Sequence, residues 1–236
     1  KVNDLFAKIA PRYDLINDLQ SFGLHRYWKN RLLKLAKIKP GVRALDVCCG
    51  TGDISFGLAN SGADVTGLDF SEPMLRVAKQ RSVAAVCDRR RSEKVTSGHR
   101  PPLQFIEGDA QNLPFGDSEF DVVTVGYGLR NLPSWERGLE EMWRVAKPGG
   151  RILVLDFGKP DNALWRKLYF SYLRWLVPIF GKLFCGDSAT HAYILESLKN
   201  YPAQRGVEEK MRAMKCRNIR VINFLGGVMS VNYGEK

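Results

Sequence analysis

The chain has 236 residues, 44% of them hydrophobic, enough to bury one large core, and no apolar run approaches the ~20 residues that a membrane-spanning helix needs. Five cysteines (Cys48, Cys49, Cys87, Cys185, Cys216), odd in number and without C-x-x-C spacing, argue against a disulfide framework and a zinc site, so no metal is expected and a reducing compartment fits. The net charge of +11 is compatible with a nucleic acid, an anionic membrane surface or plain solubility.

Residues 1–40 read as helical. Phe6, Ile9 and Ala10 recur at helical spacing before Pro11, and His25–Lys37 carries Trp28, Leu32, Leu35 and Ala36 on one face. Lys39-Pro40-Gly41 is a stop signal. A short buried strand over Ala44–Val47 leads into a glycine turn, a helix over 53–60 and a second strand over Asp64–Asp69. Ser71-Glu72-Pro73 then opens a helix, with Ser71 as its cap. Residues 87–102, with Arg89, Arg90, Arg91, Lys94 and Arg100, read as a solvated loop. They lack interleaved aromatics for base stacking, so no nucleic-acid partner is expected.

Leu103–Glu107, Phe120–Val125 and Arg151–Phe157 are three further strands, with a short helical piece expected before Pro114 and a helix over Trp135–Lys147. The stretch from Asn162 to Phe184 breaks this rhythm with an aromatic, apolar run mixed with basic residues; Ala189–Asn200 and Val207–Met214 read as helices. Arg220–Leu225 and Gly227–Tyr233 alternate like an antiparallel pair. The expected fold is α/β: a doubly wound, mostly parallel seven-stranded sheet in a single domain. It divides into a helical lid (1–40), a cofactor-binding core (42–157), a helical insertion after the fifth strand (159–205) and a C-terminal helix with a strand pair (206–236).

The chemistry concentrates at Asp46-Val47-Cys48-Cys49-Gly50-Thr51-Gly52, an acid-x-Gly-x-Gly-x-Gly pattern in which Cys48 replaces the first glycine. Glycines there let a ligand approach the backbone, and Asp69, ending the next strand, suits two ribose hydroxyls. The pair indicates a nucleoside-containing cofactor, and a dinucleotide fold shares the turn. Asp109-Ala110 follows the third strand, where an adenine amino group would meet a carboxylate, and Leu113-Pro114-Phe115 and Phe120-Asp121-Val122-Val123 lead into the fourth.

This ordered set resembles class I S-adenosylmethionine-dependent methyltransferases, which are Rossmann-like. The segments Tyr13–Trp28, Arg144–Gly158 and Gly126-Tyr127-Gly128-Leu129-Arg130-Asn131 resemble the ubiquinone/menaquinone biosynthesis C-methyltransferase family over nearly the whole chain. Ile16 stands where that family has Met, Asp156 where it has Glu and Gly158 where it has Ser. The resemblance implies S-adenosyl-L-methionine as cofactor, held by Gly50, Thr51, Gly52, Asp69, Asp109, Ala110 and Gly126. It implies C-methylation of a prenylated quinol, demethylmenaquinol or a ubiquinone-pathway benzoquinol, with Arg130, Asn131 and Tyr13 as catalytic residues. Arg130 would stabilise the phenolate and act on the hydroxyl through a water, because its charge is permanent. Tyr13 and Asp14 would lie on the lid, and His25 beside Trp28 reads as a packing residue.

A plastid demethylphylloquinol methyltransferase, a nucleic-acid methyltransferase and a non-catalytic cofactor-binding subunit are the alternatives. The aromatic insertion would take the prenyl tail or rest on a membrane surface, and a homodimer or a quinone-biosynthesis complex stands open. The expected location is cytoplasmic, peripheral at the inner membrane face, or organellar if a targeting segment has been removed.

Overall fold

The computed structural model describes residues 21, 23–91, 103–185 and 189–236; the side chains of 85–91, 178–185 and 189–194 are outside it, as are the expectations for Tyr13, Asp14, Lys94, Arg100 and His191. The chain order of its elements is α1 (Leu24–Ala36), β1 (Arg43–Val47), α2 (Asp53–Asn60), β2 (Asp64–Asp69), α3 (Glu72–Arg91), β3 (Leu103–Glu107), β4 (Phe120–Gly126), α4 (Trp135–Val145), β5 (Ala146–Phe157), α5 (Ala163–Cys185), α6 (Ala189–Asn200), α7 (Ala203–Ala213), β6 (Arg217–Phe224) and β7 (Met229–Glu235). The seven strands form one sheet in the order β3-β2-β1-β4-β5-β7-β6. Pairing is parallel from β3 through β5, and β7 lies antiparallel to both β5 and β6.

The central strands are apolar on both faces, as a sheet covered by helices on each side requires. On one face Val123, Val125, Ile152 and Val154 pack with Leu139, Met142 and Val145 of α4 and with Tyr169, Leu173 and Val177 of α5. On the other, Val122, Leu153 and Leu155 meet Trp28, Leu32 and Ala36 of α1 and Ile54 and Leu58 of α2. Leu32, Leu58, Leu139 and Leu155 are fully buried, each a gain of roughly 1.5–3 kcal/mol over an exposed position.

Three expectations change. The segment from 87 to 91 is not loop: α3 continues to Arg91, because no glycine or proline interrupts it and arginine is a good helix former. The helical piece before Pro114 is replaced by a tight turn in which Asp109 bridges Asn112 and the Asp109 carboxylate accepts the Gln111 N–H at 2.8 Å. The helix expected to reach Lys147 ends at Val145, and β5 starts at Ala146, pairs with Phe120, and shifts register across Pro148-Gly149-Gly150 before Arg151 rejoins β4.

Asp53, the first residue of α2, ties three helices together. It receives Lys29 Nζ of α1 at 2.6 Å and Arg81 Nη2 of α3 at 2.7 Å, while Arg81 Nη1 donates to the Thr51 carbonyl at 3.0 Å. Burial pushes the Asp53 carboxyl up, but the Lys29 and Arg81 charges outweigh it and hold its pKa below the ordinary range. A lowered folded pKa gives stability that is present above the unfolded value and lost as pH falls through the folded one. Asp53→Asn should therefore cost about 1–2 kcal/mol in urea unfolding at pH 7, with the gap to the parent closing in acid; equal urea midpoints at pH 7 would show that the clamp contributes nothing.

Candidate active site

Val47 pairs with Leu68 and with Val125, and Gly126 pairs with Leu155, so the C-terminal ends of β1, β2, β4 and β5 lie along one edge of the sheet. Strand order reverses between β1 and β4, the position at which open α/β sheets leave a ligand crevice. Two groups of side chains meet there.

The first surrounds the turn after β1. The chain takes positive φ at Cys48 (54°), Gly50 (56°) and Gly52 (88°), and the Cys49 N–H donates to the Leu68 carbonyl at 3.0 Å. Asp69 is 6% exposed; its Oδ2 accepts the Gly50 N–H at 2.8 Å and its Oδ1 accepts the Ser71 N–H at 2.9 Å. One carboxylate thus sets both the glycine turn and the start of α3. Burial raises the Asp69 pKa against the pull of these backbone hydrogen bonds. The sequence points to Ser71 as a helix cap, yet its Oγ is buried without a hydrogen-bond partner. Phe70 is 39% exposed, a bare ring beside a buried acid.

Asp109 is exposed and Ala110 buried in the turn after β3. Gly126 ends β4, where a Cβ would stand 2.4 Å from Ile54 Cδ1, so a side chain there would push the Ile54 side chain of α2 aside. Below the turn, Asp46 accepts Ser55 Oγ at 2.6 Å and Thr124 Oγ1 at 2.9 Å, and burial lifts its pKa to about 6 against those bonds.

The second group follows β4 and β5. Arg130 Nε lies 3.2 Å from Asp156 Oδ1, with the two side chains 7% and 3% exposed. Asp156 also accepts the Arg130 N–H at 3.2 Å and the Phe157 N–H at 2.8 Å; burial raises its pKa although Arg130 opposes this. Arg130 Nη1 reaches Ser197 Oγ of α6 at 3.3 Å and donates to Asn131 Oδ1, while Asn131 Nδ2 donates to the Tyr127 carbonyl at 3.1 Å. The Arg130 guanidinium stands 5.0 Å from the centroid of the Phe157 ring. Asn131 therefore braces the arginine and the positive-φ peptide at Tyr127 (62°).

Cys48 joins the two groups. A Cβ added to Gly128 would fall 2.3 Å from Cys48 Cβ, so the two turns touch there. Burial, and then the carboxylates of Asp69, Asp46, Asp156 and Asp109, push the Cys48 thiol well up, which marks those four acids as neighbours of one point. His25 is 4% exposed on α1, its Nδ1 3.1 Å from Ser21 Oγ, in the helix that also buries Trp28. Tyr13 falls outside the described residues. Asp156, Ser197 and Phe70 were missed as site residues; an acid closing the apolar run Ile152–Leu155 was the readable signal for Asp156.

The residues fit S-adenosylmethionine. Asp69 keeps a lone pair on each oxygen for a ribose diol, the bare Phe70 ring offers a surface for the adenine, and Ser71 Oγ is a buried polar atom awaiting a partner. The surrounding carboxylates suit a sulfonium cation, where a dinucleotide pyrophosphate would be repelled. Fold and site together define a class I S-adenosylmethionine-dependent methyltransferase. An 18%-identical methyltransferase structure from Thermotoga maritima superposes with a TM-score of 0.63 over 99% of both chains. The sequence is 38% identical to a demethylmenaquinone methyltransferase of Desulfitobacterium hafniense over all of this chain and 89% of that protein. It is 37% identical to the Listeria monocytogenes enzyme of the same name over all of this chain and 95% of that one. The profile of the ubiE/COQ5 methyltransferase family matches residues 1–236, and the chain belongs to that family.

Asp69→Ala should weaken S-adenosylmethionine binding by about tenfold or more in calorimetry, since two hydrogen bonds to a charged acceptor are lost. Unchanged affinity would remove Asp69 from the site.

Proposed function

We propose that the protein methylates a ring carbon of a prenylated quinol, with demethylmenaquinol as the acceptor. The observation that carries the reading is the buried Arg130–Asp156 pair at the ends of β4 and β5, beside the cofactor turn, in a chain similar over its full length to demethylmenaquinone methyltransferases.

Bound S-adenosylmethionine supplies an electrophilic methyl group. A quinol carbon becomes a good nucleophile once the adjacent hydroxyl loses its proton, so the acceptor must be the reduced ring. Arg130, fixed by Asp156, Ser197 and Asn131, places a permanent positive charge where the phenolate develops. Asp156, its proton affinity raised by burial, is the carboxylate behind Arg130 that receives the proton, directly or through water. Turnover should accordingly fall as pH drops through the raised Asp156 pKa. Gly50, Thr51, Gly52, Asp69, Asp109, Ala110 and Gly126 line the cofactor side; Arg130 and Asn131 line the acceptor side, with Tyr13 assigned there by resemblance. The comparisons lend no support to a nucleic-acid acceptor.

Helix α5 suits a substrate drawn from a bilayer. Leu164 (68% exposed), Leu168, Trp175 (64%) and Leu176 form its outward face, flanked by exposed Lys167 and Arg174, while Tyr169, Leu173 and Val177 face the core. No helix among the described residues is long and apolar enough to cross a membrane, so this face would rest on the surface.

The decisive assay offers reduced short-chain naphthoquinol and benzoquinol side by side with a labelled methyl donor; ring-carbon labelling of the naphthoquinol is expected, and labelling of neither ring would end the proposal. Arg130→Ala should lower kcat by about 10²–10³-fold while cofactor affinity holds; a parallel loss of affinity would place Arg130 in the cofactor site instead. In flotation, the chain should rise with anionic vesicles and lose that binding in a Leu168→Glu, Trp175→Glu variant; no flotation with any vesicle would refute membrane docking.

A further inference from the structure

Among the described residues, nothing pairs with the Tyr169 hydroxyl. The residue is 6% exposed, and its Oη is buried without a hydrogen-bond partner. A sealed, unpaired hydroxyl is destabilising, and native structures keep few of them. Phenylalanine would fill the same space at that point of the core without the penalty. The surroundings explain the exception. The ring sits on the inward face of α5, in the same buried cluster as Leu129, Leu173 and Tyr201, and its phenol feels the charges of both Arg130 and Asp156. Burial pushes its pKa well above the ordinary phenol value, so the group stays protonated and remains a donor.

Accepting the quinol reading above, we infer that Tyr169 donates a hydrogen bond to a quinol oxygen, the oxygen being held between this phenol and the Arg130 guanidinium. The donor comes from α5, whose opposite face carries Leu164, Leu168, Trp175 and Leu176. One helix would then both sit against the bilayer and recognise the head group of the ring drawn from it. The Phe157 N–H is already committed to Asp156, whereas the Tyr169 phenol and Arg130 Nε, 3.2 Å from Asp156 Oδ1 in an ion pair that lacks hydrogen-bond geometry, are both buried donors without a hydrogen-bond partner.

Tyr169→Phe tests this, because it removes one oxygen and keeps the shape. The variant should melt at the parent temperature or higher, bind S-adenosylmethionine with parent affinity, and lose about tenfold to a hundredfold in kcat/KM for short-chain naphthoquinol. Combined with Arg130→Gln, its effect should be markedly less than additive, since both side chains hold one oxygen; a purely structural role would give additive losses. Parent-like kcat/KM in Tyr169→Phe overturns the inference and leaves the quinol reading standing. A parent chain that binds the cofactor but methylates no quinol overturns both.

Discussion

The site depends on a carboxylate that touches no substrate. Asp46, the last residue but one of β1, receives hydroxyl hydrogen bonds from Ser55 on α2 and Thr124 on β4, both buried. Those three elements diverge at the sheet's switch point, and backbone pairing alone joins only two of them. The acid converts a topological crevice into a fixed one. Its cost is visible in a pKa lifted to about 6 by burial, which the two hydroxyls only partly offset. Asp53 does the same on the solvent side of the turn, and Asp69 on the β2 side. The turn that faces the cofactor is thereby held from three directions by carboxylates, two of which keep their backs to the ligand.

This distribution of charge also separates the two halves of the reaction. In the proposed reaction, acids dominate the β1 and β2 ends, where the sulfonium would be received, and the fixed cation Arg130 stands at the β4 and β5 ends, where the phenolate would form. The pairing of Arg130 with Asp156 makes that end nearly neutral until a substrate oxygen arrives, which keeps the guanidinium from repelling the cofactor across the crevice. The arginine's remaining contacts, to Asn131 and to Ser197 on α6, carry the insertion's position directly to the reacting centre.

Strand runs and the glycine turn were legible because their signals are local: β2 and β3 match their expected bounds, and Asp69 closes β2 beside that turn. The overrun of α3 and the early start of β5 were less legible, since arginines carry no stop signal and Pro148-Gly149-Gly150 serves as an irregularity inside a strand and not as its boundary. Asp156 and Ser197 lie 26 and 67 residues from Arg130, and no spacing in the sequence announces partners that only the sheet and the insertion bring together. The orphaned hydroxyls of Ser71 and Tyr169 are in the same way properties of packing, unreadable from residue type.

Cys48 takes the left-handed conformation that a glycine would adopt freely, and its contact with Gly128 shows what the side chain fills. Its setting has a chemical consequence. A thiolate beside an activated methyl group would be an efficient trap for it, and the enzyme would inactivate itself by alkylation. Burial and the four neighbouring carboxylates hold this sulfur in its protonated, weakly nucleophilic form. The same negative field that suits a cationic donor therefore protects the protein from that donor, so a thiol can occupy the pocket wall without becoming a competing acceptor.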